Sequence, residues 1–330
     1  MQFLNPTDLP PAPEGRAGWP WTCGSTALPE QMPDGRPWPK ISIITPSFNQ
    51  GTFIEETIRS VLLQNYPHLE YLVFDAESSD QTLAVIEKYR PWISFIEIKK
   101  DRGQAHAINK GFEKCSGAIV QWINTDDVLL PNALATVAQK CRADGAFAGS
   151  VEIFGANLPD VSITNRNLTV PGLASDDFRF IQPGLWLGRS AANSCFPLDE
   201  TLHYAFDWKM LWLLCRSGCS IEHSPIPLVR FRRHPGSKTI AFSDRWHDEG
   251  MKTWSFLLED DRFASLRPFL QERMNRQKIH RQIELAEHSG KKRLAFTLVR
   301  IIARQPKYLF DRFLLGSVRQ KLLGILKKLD

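Results

Sequence analysis

No stretch of the 330-residue chain reaches eighteen uninterrupted apolar residues, so no membrane-crossing helix is expected. The opening Met-Gln-Phe-Leu-Asn-Pro lacks the basic region and apolar run of a secretion signal. The six cysteines form no Cys-x-x-Cys pair and are not grouped with histidine, which speaks against a zinc module. Reduced thiols and a cytoplasmic setting are the expectation. No Gly-x-Gly-x-x-Gly follows the first strand-like run, which argues against a dinucleotide-dependent dehydrogenase. Net charge is small as well. The formal +5 is concentrated between Lys291 and Asp330, where eleven Lys and Arg face two Asp, so the rest of the chain sums to −4. A mildly acidic body offers no nucleic-acid-binding face, and no nucleic-acid partner is expected.

Aromatic residues are plentiful, with ten Trp and twenty Phe. They fill cores more often than they line sugar sites, although they do both. Residues 1–39 are rich in Pro, Gly and Trp and lack helical or strand periodicity, which predicts an extended arm packed on the body by its tryptophans. From Lys40 the pattern changes to strand, helix, strand, helix. Short apolar runs at 41–45, 69–74, 92–98 and 118–123 read as strands. The stretches 52–64, 80–89 and 104–114 and one opening at Pro131 read as helices. Asp80 is placed to cap the second of these helices. The expected class is α/β, with a mainly parallel sheet flanked by helices and ligands bound beyond the carboxyl ends of the strands. Beyond 145 the regularity fades. A strand is expected at 147–153, a loop at 157–176, a helix at 206–216, a strand-like segment at 220–231, and charged helices after that.

Three of the predicted strands end in polar clusters: Thr45-Pro46-Ser47-Phe48-Asn49-Gln50, Asp75-Ala76-Glu77-Ser78-Ser79-Asp80 and Asn124-Thr125-Asp126-Asp127. In a parallel sheet all three meet on one edge. Paired acids among Ser, Thr and Asn suit a hard cation with oxygen ligands and positions left open for phosphate.

Together with Asp-Arg-Gly-Gln-Ala-His-Ala-Ile-Asn-Lys-Gly at 101–111, these runs resemble the motifs of the family 2 glycosyltransferases between Pro39 and about Leu134. The likeness continues more loosely through Leu198-Asp199-Glu200 to Arg233-His234-Pro235-Gly236-Ser237-Lys238-Thr239. It implies a GT-A-type fold and an inverting transfer of sugar from a nucleoside-diphosphate donor, UDP-linked, to a glycan or lipid-linked acceptor in cell-surface polysaccharide synthesis. It also implies Mn²⁺ or Mg²⁺ as cofactor. By the same resemblance Pro46, Ser47, Asn49 and Ser78 line the nucleotide pocket and Asp75 holds the base. Asp101 faces the nucleotide-sugar, and Asp126 and Asp127 form the Asp-x-Asp-type site, Asp127 being the favoured direct metal ligand. Asp207 is the implied catalytic base, and His234 and Lys238 lie on a loop closing over the diphosphate, His234 as a further metal ligand. Gln182, Pro183 and Trp186 match a segment near the acceptor site.

The chain departs from the family pattern at Ala76 and Glu77, where two glycines are common, and at Asn124, the first slot of the Asp-x-Asp pattern. Asp75 is also a natural turn-former and Asp207 a natural helix cap, so each has a structural alternative. A catalytically silent nucleotide- or sugar-binding module is a second function class, and a sugar nucleotidyltransferase a third. The latter would usually carry a Gly-rich basic loop where Thr45 to Gly51 stands. The expected organisation is an arm at 1–39, a GT-A domain at 40–240 (donor part 40–140, acceptor and catalytic part 141–240) and a helical basic extension at 241–330. The apolar and basic residues of 291–330 suit either an anionic membrane surface, giving a peripheral location, or helices packed on the body.

Overall fold

A computed structural model describes residues 3–155, 160–174, 177–238 and 243–304. The chain divides into two compact units, Met1–Arg262 and Phe263–Asp330.

The first unit is built on one mixed sheet. Its strands are β1 (Ile41–Ser47), β2 (Leu69–Asp75), β3 (Phe95–Ile98), β4 (Ile119–Trp122), β5 (Val128–Leu129), β6 (Ala146–Gly155), β7 (Val161–Thr164), β8 (Leu185–Gly188) and β9 (Ile221–Arg233). They are ordered β3-β2-β1-β4-β8-β6-β9-β5, with β7 on β6. The first four strands are parallel, as the strand–helix alternation requires. Beyond β4 the sheet changes character: β8 runs antiparallel to β4 and to β6, and β5 antiparallel to β9. The long strands β6 and β9 pair in parallel again, so the expected α/β sheet holds, with the antiparallel pairings confined to those of the short strands β5, β7 and β8. The short strands β5, β7 and β8 went unread, because two to four residues are too few to show periodicity.

Helices α1 (Ile54–Leu62), α2 (Thr82–Tyr89), α3 (Gln104–Lys114) and α4 (Ala133–Lys140) follow β1, β2, β3 and β5. On α1 the buried stripe is Ile54, Ile58, Val61 and Leu62, each apolar side chain contributing about 1.5–3 kcal/mol when fully buried. Gly111 lets α3 lie close on β1, since a Cβ there would stand 2.5 Å from Ile44 Cγ2. The N-cap position of α2 is Gln81 rather than the expected Asp80; Asp80 stands one residue earlier, its Oδ1 accepting the Thr82 N–H at 2.9 Å and its Oδ2 the Gly51 N–H at 2.9 Å.

The arm is part of this unit. Leu4, Leu9, Met32 and Trp38 join the core built on β1 and α1. The fully buried Arg59 of α1 holds it in place, donating to the carbonyls of Pro20 (3.0 Å), Pro10 (2.8 Å) and Trp21 (2.8 Å) and to the Tyr89 hydroxyl (3.0 Å). Arm carbonyls that find no partner in helix or sheet thus find one in a single guanidinium.

Helices α5 (Arg189–Asn193), α6 (Phe206–Arg216) and α7 (Ser243–Glu259) complete the unit. Trp254 of α7 packs against Trp208 and Trp212 of α6, with ring centroids 6.3 and 5.2 Å apart. This aromatic cluster packs α7 on α6 within the first unit, which runs to Arg262. In the second unit α8 (Arg267–His288) and α9 (Lys291–Arg304) form a pair around Ile279, Ile283, Leu294 and Ile301. Residues 305–330 of the basic extension lie outside the described residues. No described helix is long and apolar enough to cross a membrane.

Candidate active site

The ends of β1 and β4, the turn into α3, the start of α6 and the segment after β9 line a cleft of about 920 Å³. It opens where strand order reverses between β1 and β4, the switch point at which such sheets bind ligands.

The first wall comes from β1. Pro46, Ser47 and Gln50 face the cleft, and the buried Ser47 hydroxyl and Gln50 Oε1 have no hydrogen-bond partner among the described residues. Buried polar atoms left open in a cleft wall are suited to a polar ligand. Asn49 and Ser78 act behind this wall. The Asn49 N–H donates to Ser78 Oγ at 2.8 Å, and Asn49 Oδ1 accepts the Ser79 N–H at 2.9 Å. Asn49 (φ 51°) and Glu77 (φ 61°) both take the left-handed conformation. Glu77 thus keeps the backbone shape expected of the glycine that commonly stands there.

Asp75 is placed differently from the expected base contact. It is 1% exposed and does not line the cleft. Oδ1 accepts the Ser78 N–H at 2.7 Å and Oδ2 the Ser78 hydroxyl at 2.7 Å. Its carboxylate ties the second loop to the first through Ser78. Asp101 does line the cleft, holding the turn before α3 by accepting the Gly103 N–H at 2.8 Å.

The acid pair divides. Asp126 faces the cleft, its Oδ2 lying 3.1 Å from His234 Nε2. Asp127 is fully buried beneath it and absent from the cleft lining, so the sequence-based preference for Asp127 as direct ligand does not match the orientation of the two side chains. Asp127 Oδ1 accepts the Arg232 N–H at 3.3 Å and Oδ2 the Asn124 amide at 3.2 Å. Burial, and then the neighbouring Asp126 charge, push its carboxyl well above the usual carboxylate range. Pairing of β5 with β9 explains how His234 gets there. Val128 stands opposite Arg230 in an antiparallel ladder, so two residues farther along each strand Asp126 meets Arg232. Arg232 Nε donates to the Asp126 carbonyl at 3.0 Å, and His234 follows, its ring 4.6 Å from that of Phe53.

One carboxylate oxygen and one imidazole nitrogen, with the remaining positions left to water and phosphate oxygens, suit Mn²⁺ better than Mg²⁺, whose ligands are almost all oxygen. Among the described residues no group of three or more His, Cys, Asp and Glu converges on a cation. A cation held here would therefore depend on a ligand's own oxygens.

Asp207 opens α6 and lines the same cleft. Its Oδ1 accepts the Trp208 N–H at 2.8 Å. Burial drives its pKa up to about 7, against the lowering effect of that hydrogen bond and of Lys238 nearby. Lys238 donates to Gln104 Oε1 at 2.9 Å, and Gln104 Nε2 donates to Asn124 Oδ1 at 2.7 Å. A chain of hydrogen bonds thus crosses the cleft to the acid loop.

Several lining residues were quoted in motifs without a role: Phe48, Gln104 and Arg233. Their places in the chain carried the signal: Phe48 directly follows β1, Gln104 opens α3 and Arg233 closes β9. The Arg233 side chain, unlike those of His234 and Lys238, has no hydrogen-bond or ion-pair partner among the described residues, and it shares this with Lys100 on the same lining. Gln182, Pro183, Phe180 and Trp208 form another part of the wall, whereas Trp186 is fully buried and absent from it.

Residues 42–192 match the family model described as "Glycosyl transferase family 2". The chain is 33% identical over 121 residues to a GalNAc(5)-diNAcBac-PP-undecaprenol beta-1,3-glucosyltransferase of Campylobacter jejuni, covering 36% of this chain and 38% of that protein. In general it spans little more than a third of the length of such curated relatives. Among solved structures, the mannosyltransferase PcManGT of Pyrobaculum calidifontis, in complex with GDP-Man and Mn²⁺, superposes with TM-score 0.57 at 17% identity, over 87% of this chain and 81% of that one. S. aureus TarS 1-349 in complex with UDP-GlcNAc gives 0.52 at 17% identity, over 84% and 77%. These neighbours establish the GT-A-type α/β fold. Through residues 42–192 the chain is similar to glycosyl transferase family 2.

Proposed function

We propose that this chain is an inverting glycosyltransferase that moves a sugar from a nucleoside-diphosphate donor to an acceptor hydroxyl, with Asp207 as the general base. The observation that carries this reading is that Asp207, with a pKa near 7, opens onto the same cleft as the Asp126–His234 pair. A base is most effective when its pKa lies near the working pH, and such proton transfer contributes about 10²–10⁴-fold. Asp207 takes the proton from the attacking hydroxyl. Arg233 and Lys238 face the diphosphate, and Ser47 and Gln50 offer their open polar atoms to the nucleotide. Asp126 and His234 would hold a divalent cation, which would supply positive charge to the departing diphosphate. Asp75 and Ser78 serve the site by shaping the loops rather than by touching the base, and Asp127 by fixing Arg232 behind Asp126.

UDP is the proposed nucleotide, supported by the UDP-GlcNAc named for the TarS complex. A lipid-linked or polymeric glycan of the cell surface is the proposed acceptor, supported by the undecaprenol-linked substrate in the Campylobacter relative's name. An anionic membrane surface is the proposed location. Phe296 and Val299 on α9 are 69% and 67% exposed, with Arg293, Arg300 and Arg304 exposed beside them.

The reading is tested by thermal stabilisation and nucleotide release with a panel of UDP-, GDP- and dTDP-sugars, with and without Mn²⁺, on the wild type and Asp207→Asn. Expected are Mn²⁺-dependent stabilisation of both proteins by one donor and turnover by the wild type alone. Stabilisation of both without turnover by either would favour the silent binding module, and stabilisation by no nucleotide-sugar would sink both readings.

A further inference from the structure

The segment that delivers Asp207 to the cleft is held by a residue of α7 far from any family motif. Three successive backbone N–H groups converge on one carboxylate: His203 donates to Glu249 Oε1 at 3.0 Å, Tyr204 to Oε2 at 2.6 Å and Ala205 to Oε2 at 3.1 Å. All three precede α6, whose N-cap is Ala205, a residue with no side-chain acceptor of its own. Backbone donors at a helix entrance need a partner, and a negative group there also suits the helix dipole. Charge-assisted bonds of this kind are among the stronger ones in proteins. On the other side of the segment, Lys238 donates to the His203 carbonyl at 3.3 Å. Residues 203–205 are thus gripped through their N–H groups by α7 and through one carbonyl by the loop that faces the diphosphate.

We propose that Glu249 is the positioning residue for the base: by clamping the backbone of His203–Ala205 it sets the departure of α6 and so the direction in which the Asp207 carboxylate points. The inference rests on the reading of Asp207 as the base. Glu249 itself touches no reacting atom. Its work is geometric, and a displacement of about 1 Å at a catalytic group costs on the order of 10²-fold in rate.

The test compares the full-length wild type with Glu249→Ala, Glu249→Gln and Asp207→Asn, all carrying carboxyl-¹³C aspartate. Loss of a signal in Asp207→Asn identifies the Asp207 carboxyl. In Glu249→Ala its titration midpoint is expected to fall from about 7 by more than one pH unit as water reaches the released loop. Amide exchange at residues 203–205 should quicken at least tenfold. Turnover of the donor selected in the panel above should drop about 10–100-fold, with donor KM within twofold of wild type. Glu249→Gln removes the charge but keeps an acceptor for the Tyr204 and Ala205 N–H groups, so it should stay within threefold of wild type in turnover and near it in titration. If Glu249→Ala leaves titration and exchange unmoved, the clamp is refuted whatever happens to activity. If Glu249→Gln shifts the titration as far as Glu249→Ala does, the effect is one of charge and the positioning role is refuted. A wild-type rate in Asp207→Asn overturns the base assignment instead, while titration and exchange still decide whether Glu249 holds the loop.

Discussion

His234 Nε2 lies 3.1 Å from Asp126 Oδ2, across 108 residues of sequence. The contact exists because a two-residue strand, Val128–Leu129, pairs with the far end of β9. It puts an imidazole and a carboxylate on one wall of the cleft and leaves Asp127 behind them.

Asp126→Asn and His234→Ala are therefore expected to weaken Mn²⁺-dependent donor binding by at least tenfold. Asp127→Asn, which keeps its shape but loses one acceptor for the Asn124 and Arg232 hydrogen bonds, should leave Mn²⁺ affinity within threefold and lower the melting temperature by a few degrees. Calorimetry of Mn²⁺ and UDP binding to the three variants decides the matter. A larger metal defect in Asp127→Asn than in Asp126→Asn would reverse the assignment.

The raised pKa of Asp207 has consequences for rate and for stability. As a base it must be ionised, so kcat should climb with pH through about 7. The folded chain holds this proton up to about pH 7, whereas the unfolded chain releases it near the ordinary value of 3.8. The contribution of Asp207 to stability is thus fully present below about pH 4 and falls as pH rises between these values. Asp207→Asn removes that loss, so it should melt a few degrees above wild type at pH 8 and close to it at pH 4. Equal melting differences at the two pH values would show that the carboxyl is not protonated in the fold.

Arg233 brings a positive charge to the cleft and forms no ion pair among the described residues. Arg233→Ala is expected to raise donor KM at least tenfold, and Arg233→Lys to recover only part of that, since lysine lacks the bidentate fork that matches phosphate oxygens. A KM for Arg233→Ala within twofold of wild type would remove Arg233 from the diphosphate site.

Arg59 should matter for folding and not for chemistry. Arg59→Met leaves buried carbonyls of the arm without donors, each costing about 1–3 kcal/mol, so a loss of about 3–5 kcal/mol in unfolding free energy is expected. Urea denaturation measures it. A loss below about 1 kcal/mol would mean that the arm is held by its apolar side chains alone.

Vesicle sedimentation tests the membrane proposal. The full-length chain is expected to bind vesicles containing anionic lipid at low salt and to be released by 0.5 M salt, because screening removes the basic contribution. The double variant Phe296→Glu, Val299→Glu should bind at least tenfold more weakly. Unaltered binding would place the contact elsewhere on the chain.

The α/β class, the spans of α3 and α6 and the strand-end clusters were legible in the amino-acid sequence, because period and turn chemistry are local properties. The same is true of Asp207 at a helix start and of the acids after β4. Local order could not say which side chain of a neighbouring pair points outward. Asp126 and Asp127 differ by one position, and the register of β5 against β9 decides between them. Nor could it show that Ser78 occupies both oxygens of Asp75, or that Glu249 reaches back to residues 203–205. The inventory of chemical groups is written in the order of residues. Their orientation, burial and long-range partners depend on strand pairing and helix packing, interactions between segments whose meeting only the folded chain determines.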